Sequence, residues 1–242
     1  MVVSHKHKYV YIQLPQTACT TVQNELLELY AGEKILFKHA LYSDFMKQAS
    51  PEEKKYFVFS NIRNPLDVVV SKFFKYKTDH VGAYSNQRKK DFGFLHKYFL
   101  LYWDRNRFEF IKENEADFGA FFKRFYTMPY SSWSILDHHR FDYLIRYENL
   151  QEDFATALRK INIEPIRPLP SKNVTGQKSR DFWSYYDTPE LQARAVKLFS
   201  EYMQEWGYEF PESWKTYPKA PASRLQYDTV NTFRKLYWSR LR

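Results

Sequence analysis

Apolar runs separated by short polar loops recur along the chain and predict alternating β-strands and α-helices. The predicted order is strand 9–14, helix 20–30, strand 56–62, helix 66–75, strand 141–145 and helix 150–161. Alternation of this kind is typical of a mostly parallel sheet with helices on both faces. We therefore expect one α/β domain, which we place at residues 1–217.

Three segments lie outside this alternation. His5 and His7 are assigned to a basic stub that precedes the first strand. Residues 77–114 form a long polar and aromatic insertion, and insertions of this size often carry binding loops. Residues 218–242 follow a proline-containing break and have basic and aromatic residues at helical spacing. We expect a terminal helix packed on the domain, with membrane-surface contact through 221–242 as the alternative.

The loop between the first predicted strand and the first predicted helix has the features of an anion site. The strand stops at Pro15, and Thr17, Thr20 and Thr21 supply hydroxyl groups where the helix begins. The first N–H groups of a helix have no partner within the helix, and the helix dipole favours negative charge there. A ligand of the phosphate type is therefore expected at this loop.

Two common phosphate chemistries are disfavoured by the residues of this loop. A Walker loop needs Gly-x-x-x-x-Gly-Lys-Ser/Thr, but no glycine lies between Tyr9 and Ala31, and Cys19 occupies the lysine position. A cysteine phosphatase would carry an arginine six positions after its nucleophile, where this chain has Glu25. Cys19 is interpreted as a small loop residue, and a thiol with a pKa lowered by the helix N-terminus is the alternative.

The second strand–helix pair carries a second set of anion-binding groups. Arg63 ends the predicted strand, where open α/β sheets usually contact ligands. Pro65 fits the first position of the next helix, and Ser71 follows Arg63 by eight residues, about two helical turns. A guanidinium and a hydroxyl in this arrangement favour a single phosphate, which arginine can bind with two hydrogen bonds.

Four regions in this order, the last of them made of three segments, resemble the sulfotransferases that use 3′-phosphoadenosine-5′-phosphosulfate (PAPS), most closely the carbohydrate-type branch. Leu14-Pro-Gln-Thr-Ala-Cys-Thr-Thr21 is similar to their Pro-Lys-Thr-Gly-Gly-Thr-Ser loop. Phe59-Ser-Asn-Ile-Arg-Asn-Pro-Leu-Asp-Val-Val-Val-Ser71 is similar to their Phe-x-x-Val-Arg-Asn-Pro-x-Asp-x-x-x-Ser segment. The weaker similarities are at Arg146–Leu150 and, towards the C-terminus, at Leu169–Thr175, Trp183–Asp187 and Trp206–Tyr208.

The resemblance implies a P-loop-type three-layer sandwich with a central, mostly parallel sheet flanked by helices. It also implies PAPS as co-substrate, no metal, and a carbohydrate or other hydroxyl-bearing acceptor that the insertion at 77–114 helps to bind. It assigns the 5′-phosphosulfate to Gln16, Thr17, Ala18, Cys19, Thr20 and Thr21, and the 3′-phosphate to Arg63 and Ser71. Further phosphate contacts are expected from Lys178 and Arg180.

The chain departs from the family loop at three positions. Gln16 replaces the lysine that neutralises charge on the oxygen leaving sulfur, and Ala18 and Cys19 replace two glycines. Lys38, Lys72 or a basic residue between 172 and 180 is expected to compensate. The departures leave a second function open, a non-catalytic or weakly active protein that binds a nucleotide or a glycan.

Sulfuryl transfer needs a base for the acceptor hydroxyl and positive charge at the leaving group. His39 is the candidate base because it lies between the two donor motifs, and Lys38 beside it is the candidate cation. A histidine bonded within the structure is the alternative role for His39.

Composition is consistent with an anionic ligand. The formal net charge is +9, and aromatic residues make up 19% of the chain. Basic and aromatic residues together also suit nucleic acid, but the sequence has no nucleic-acid-binding motif, so we favour an acidic glycan. Only one cysteine is present, which fits a reducing compartment, and we expect a cytoplasmic protein.

Overall fold

The computed structural model describes residues 1–85, 95–132, 135–170, 181–219 and 221–240, with the backbone alone for 95–102 and 238–240. The strands are β1 (Val2–Ser4), β2 (Tyr9–Ile12), β3 (Glu33–Lys34), β4 (Phe57–Ile62) and β5 (Tyr143–Arg146). The helices are α1 (Cys19–Leu29), α2 (Tyr42–Gln48), α3 (Pro65–Lys77), α4 (Leu95–Glu113), α5 (Phe118–Phe125), α6 (Leu150–Arg159), α7 (Pro189–Glu205) and α8 (Ser223–Arg240). All six elements predicted from the hydrophobic pattern are present, with ends that differ by at most two residues.

The five strands of the described residues form one mixed sheet in the order β3-β1-β2-β4-β5. Strand β4 pairs parallel with both β2 and β5, whereas β1 pairs antiparallel with both β2 and β3. The expectation of a mostly parallel sheet was therefore wrong. The reason lies at the N-terminus, where the tight turn at 5–8 folds β1 back onto β2, and a hairpin makes its strands antiparallel. His5 and His7 belong to this hairpin turn and not to a stub.

Helices cover both faces of the sheet because the side chains of each strand alternate between the faces. On β2, Tyr9 and Tyr11 face a cluster that includes Leu26 of α1 and Phe154 of α6. The intervening Val10 and Ile12 face the other cluster, which holds two aromatic residues of α2. The alternation thus fixes which helices lie on which face.

The parallel register brings the site-forming ends of two strands together. Ile12 of β2 pairs with Ser60 of β4, so the carboxyl ends of both strands lie at the same edge of the sheet. The loop at 13–18 and the residues 61–64 leave the sheet side by side at this edge.

The chain divides into two compact units. The first consists of Met1–Asn64 and Ser132–Val174 and contains the sheet with α1, α2 and α6. The second consists of Pro65–Ser131 and Thr175–Arg242, and its described residues include no strand. Its core is strongly aromatic and includes Phe73, Phe121, Phe122, Phe199 and Trp214. Much of the aromatic surplus in the sequence is therefore used as core.

The expected C-terminal helix is confirmed as α8, and it packs on α7 within the second unit. Ser223 Oγ donates to Glu201 Oε1 at 2.7 Å, and the Tyr227 hydroxyl donates to Glu205. The opposite side of α8 exposes Leu225 and Phe233. Over the parts of the chain that the structure describes, none of the helices is long and apolar enough to cross a bilayer.

Candidate functional site

The loop after β2 is held to the end of β4 through its backbone carbonyls. Asn61 Nδ2 donates to Thr17 O at 3.0 Å, and Arg63 Nη1 donates to Gln16 O at 2.9 Å. Thr17 itself is buried, and its hydroxyl donates to Leu14 O at 2.8 Å. In a trans peptide the N–H points away from the C=O, and no described peptide bond is cis. The N–H groups of Thr17 and Ala18 therefore point away from Asn61 and Arg63, as an anion-binding loop requires.

Two residues of this loop have a backbone conformation that favours glycine. Gln16 has φ 66° and Ala18 has φ 60°, in the left-handed region that strains residues with a Cβ. Ala18 stands where the sulfotransferase loop has glycine, and it is also the residue that caps α1. Ala18 therefore carries a local strain at the entrance of the helix.

A hydroxyl group and a cation lie together at the N-terminus of α1. The N–H groups of Thr21 and Val22 donate to Ala18 O at 3.0 and 3.3 Å, which closes the first turn. The Lys38 ammonium lies 3.3 Å from Thr20 Oγ1 and is exposed. A cation beside a helix N-terminus is opposed by the helix dipole unless an anion is present, so this arrangement is suited to an anion.

His39 is held in the tautomer that a general base needs. Its Nδ1 lies 3.0 Å from Gln13 O, and a carbonyl can only accept a hydrogen bond, so Nδ1 carries the proton. The lone pair is then on Nε2. Burial lowers the pKa of His39 below its usual 6.5, opposed by the bond to Gln13 and assisted by Lys38, so the ring is neutral at pH 7.

Gln13, which sequence reasoning missed, adds a buried amide to the same edge. Its side chain is 2% exposed, and its Oε1 accepts from the Met1 amino group at 2.8 Å. Gln13 Nε2 and Gln16 Oε1 are both buried and have no hydrogen-bond partner among the described residues. Unpaired buried polar atoms cost about 1–3 kcal/mol each and commonly mark the place of a ligand or a water molecule. The one signal in the sequence was a glutamine inside an otherwise apolar run.

Arg63 lies at the junction of three of the sequence motifs. Its guanidinium stacks 4.0 Å above the Tyr147 ring, and Asn64 N–H donates to Glu148 Oε1 at 2.6 Å. The segment 59–64 therefore contacts both 14–21 and 146–150 within the first unit. Arg63 is only 7% exposed and braces the loop, a role that was not part of its expected contact with phosphate.

The remaining predicted site residues belong to the second unit, lie outside the described residues or are buried in an apolar cluster. Ser71 is fully buried in α3 of the second unit. Lys178 and Arg180 lie outside the described residues, as do 86–94 of the insertion. Cys19 is 5% exposed and packs in the apolar cluster under the sheet, which favours its interpretation as a small structural residue.

The structure thus joins Gln16, Thr17, Thr20, Lys38, His39 and Arg63 around one loop. No protein-family model, curated protein or solved structure matches this chain, so the functional conclusion depends on the geometry of this site.

Proposed function

We propose that the protein is a PAPS-dependent sulfotransferase on a P-loop-type fold and acts on a hydroxyl of a carbohydrate or related acceptor. The observation that carries the proposal is the loop at 14–18, braced by Asn61 and Arg63, with Lys38 and His39 beside it. The single cysteine fits a reducing, cytoplasmic setting.

The loop and the start of α1 provide the hydrogen bonds and the dipole that the phosphosulfate group of PAPS needs. Backbone N–H groups of the loop and the Thr20 hydroxyl are donors, and the helix end adds a favourable dipole. Lys38 supplies the cation that the loop lacks at Gln16, because its ammonium lies at the same hydroxyl. When bound, PAPS supplies an activated sulfuryl group on a phosphate leaving group.

His39 can accept the proton that the acceptor hydroxyl loses. In sulfuryl transfer an acceptor oxygen–sulfur bond forms, the bond from sulfur to the phosphate oxygen breaks, and the hydroxyl proton must leave. The lone pair on His39 Nε2 can take that proton, while Nδ1–H stays bonded to Gln13 O. The lowered pKa keeps this nitrogen in its basic form at neutral pH.

Transfer of labelled sulfate from PAPS to a panel of sugars and glycans tests the proposal. The wild type should transfer label, and His39→Gln should lose most turnover while it still binds adenosine 3′,5′-bisphosphate. His5→Gln is the matched control, because His5 is exposed and lies in the hairpin turn before β2, at the other end of that strand from the loop at 14–18. Equal turnover in the His39 variant would remove the histidine from the mechanism.

A second function, a nucleotide- or glycan-binding protein without turnover, is favoured by Gln16. Its side-chain oxygen is buried, so no charge comes from the position where the resembling loop has lysine. Tight binding of adenosine 3′,5′-bisphosphate without transfer to any acceptor of the panel would support this function over the enzyme.

A further inference from the structure

The second unit contains a group of charged and aromatic residues, many of them in the insertion at 77–114, that the loop site of the first unit does not include. Tyr76 of α3 is buried, and its hydroxyl donates to Asp104 Oδ1 of α4 at 2.6 Å. Lys72 lies one helical turn before Tyr76, and so the two share a face of α3. The charges of Arg107 and Asp104 both act on the Lys72 ammonium, so Lys72 lies near this part of α4.

Arg107 lies on the same face of α4 as Asp104, three residues later. Its guanidinium carbon is 5.5 Å from the Trp103 ring centroid and 5.6 Å from that of Phe125, and its side chain is 16% exposed. The nearest contact with Asp104 is 3.8 Å, longer than a hydrogen bond. Arg107 Nε is buried and has no partner in the part of the chain that the structure describes.

Positive charge exceeds negative charge in this cluster. Among the described residues Lys72 makes no hydrogen bond or ion pair, and burial lowers its pKa to about 8. Arg107 and Lys75 lower that pKa further, and Asp104 opposes them. Because Asp104 already accepts from Tyr76, one shared carboxylate faces two cations, and buried cations are costly without an anion.

Aromatic rings lie beside Arg107 and around Asp104, and they provide a surface for the body of a ligand. The Tyr84 ring lies 4.8 Å from Tyr76 and stacks on Phe108 at 5.9 Å. Tyr126 is also close enough to Arg107 and Asp104 for their charges to act on its hydroxyl. A guanidinium held by rings keeps its fork of N–H donors in a fixed orientation, which suits a planar or tetrahedral oxyanion.

We propose that Lys72 and Arg107 form a binding site for an oxyanion that is carried on a sugar. This oxyanion is a carboxylate or a sulfate group. Arg107 binds the group through its fork, Lys72 adds the second charge, and the aromatic rings contact the sugar. The site lies wholly within the second unit and does not depend on sulfuryl transfer.

Calorimetric titration without any nucleotide tests the site. The probes are glucuronate and glucose 6-sulfate, with glucose as the neutral probe. We expect both acids to bind and glucose not to bind, and the two acids identify which oxyanion is preferred. Lys72→Met should weaken the preferred acid at least about tenfold, the loss expected for one charge-assisted contact. Lys47→Met, at an exposed lysine of α2, should leave the affinity unchanged.

Arg107→Lys tests whether binding needs the fork of guanidinium N–H groups or only a positive charge. It should weaken binding although the charge is retained. A measurement on the wild type covers the case of a variant that does not fold. After reductive methylation with ¹³C, the lysine resonance that titrates lowest should shift to a higher pH when the acid is added. The proposal is overturned if neither acid binds up to about 10 mM, or if binding persists in both variants. Neither result depends on transfer activity, so the proposed function stands or falls separately.

Discussion

Arg63 in the first unit and Arg107 in the second unit are both arginines beside aromatic rings, but only one has its hydrogen bonds used. Arg63 stacks on Tyr147 at 4.0 Å and donates to the Gln16 carbonyl at 2.9 Å. Arg107 lies about 1.5 Å farther from its rings, and its Nε donates to none of the described residues. The first arginine stabilises a loop, and the second retains its capacity for a ligand.

The lysines of the two units also differ in how well their surroundings stabilise the charge. Lys38 is exposed and contacts a hydroxyl at a helix N-terminus, where water already solvates its charge. Lys72 is half-buried, and its pKa of about 8 reflects surroundings that stabilise the charge poorly. A poorly stabilised cation such as Lys72 gains more from an anionic ligand than a solvated cation such as Lys38.

The largest expected effect is on the chemistry of the first region. His39→Gln should lower the turnover number by about 10²–10⁴-fold, the usual contribution of a positioned general base. In the wild type, turnover should fall as the pH drops below the pKa of His39, because protonated Nε2 cannot accept the acceptor proton. Since burial lowers that pKa below 6.5, the fall should begin below this value. A pH–rate profile that is flat through this region would contradict the role.

Removal of each arginine in turn should distinguish a residue that stabilises the fold from one that is available to a ligand. Arg63→Ala should lower the free energy of unfolding by about 2–3 kcal/mol, because the Gln16 carbonyl loses its donor and Tyr147 loses its cation. Arg107→Ala should lower it by only about 1 kcal/mol, since two longer cation–π contacts but no good hydrogen bond are lost. Urea denaturation of both variants measures the difference. Equal losses would mean that Arg107 is as structural as Arg63.

Lys72→Met should stabilise the protein at pH 7, which is unusual for the removal of a charged residue. The pKa of Lys72 is lowered from 10.5 to about 8, so between these values the unfolded chain binds more protons than the folded chain. The charge therefore destabilises the fold fully below pH 8, and this effect disappears as the pH rises to about 10.5. We expect a gain on the order of 1–2 kcal/mol at pH 7 that vanishes near pH 10. Lys38→Met is the control and should show no such gain.

Much of the first unit could be predicted because its signals are local. Apolar runs with loops between them gave β2, β4 and β5 and the helices that follow them. The two-residue strand β3 and the hairpin of β1 were missed because polar residues surround them. Pairing with a distant strand, and not local pattern, determines such short strands.

The site could be predicted only in outline. The parallel register explains why the loop at 14–18 and Arg63 meet, and the spacing of the motifs already indicated it. The partners of Arg63 and His39 are backbone carbonyls, which every residue carries, so side-chain identity gives no signal for them. The cluster around Lys72 and Arg107 depends on contacts between α3 and α4, which no local motif encodes.

The smallest expected effect concerns the strained loop residue of the first region. Ala18→Gly should raise the free energy of unfolding by about 0.5 kcal/mol. Relief of the left-handed conformation at φ 60° gains about 1–2 kcal/mol, and the greater flexibility of glycine in the unfolded chain costs about 0.5–1 kcal/mol. Ala120→Gly, within α5, has no such strain and should lose about 1 kcal/mol. Thermal unfolding of the pair gives the sign of each change. If both variants are destabilised, Ala18 does not hold the left-handed conformation that opens α1 towards the anion.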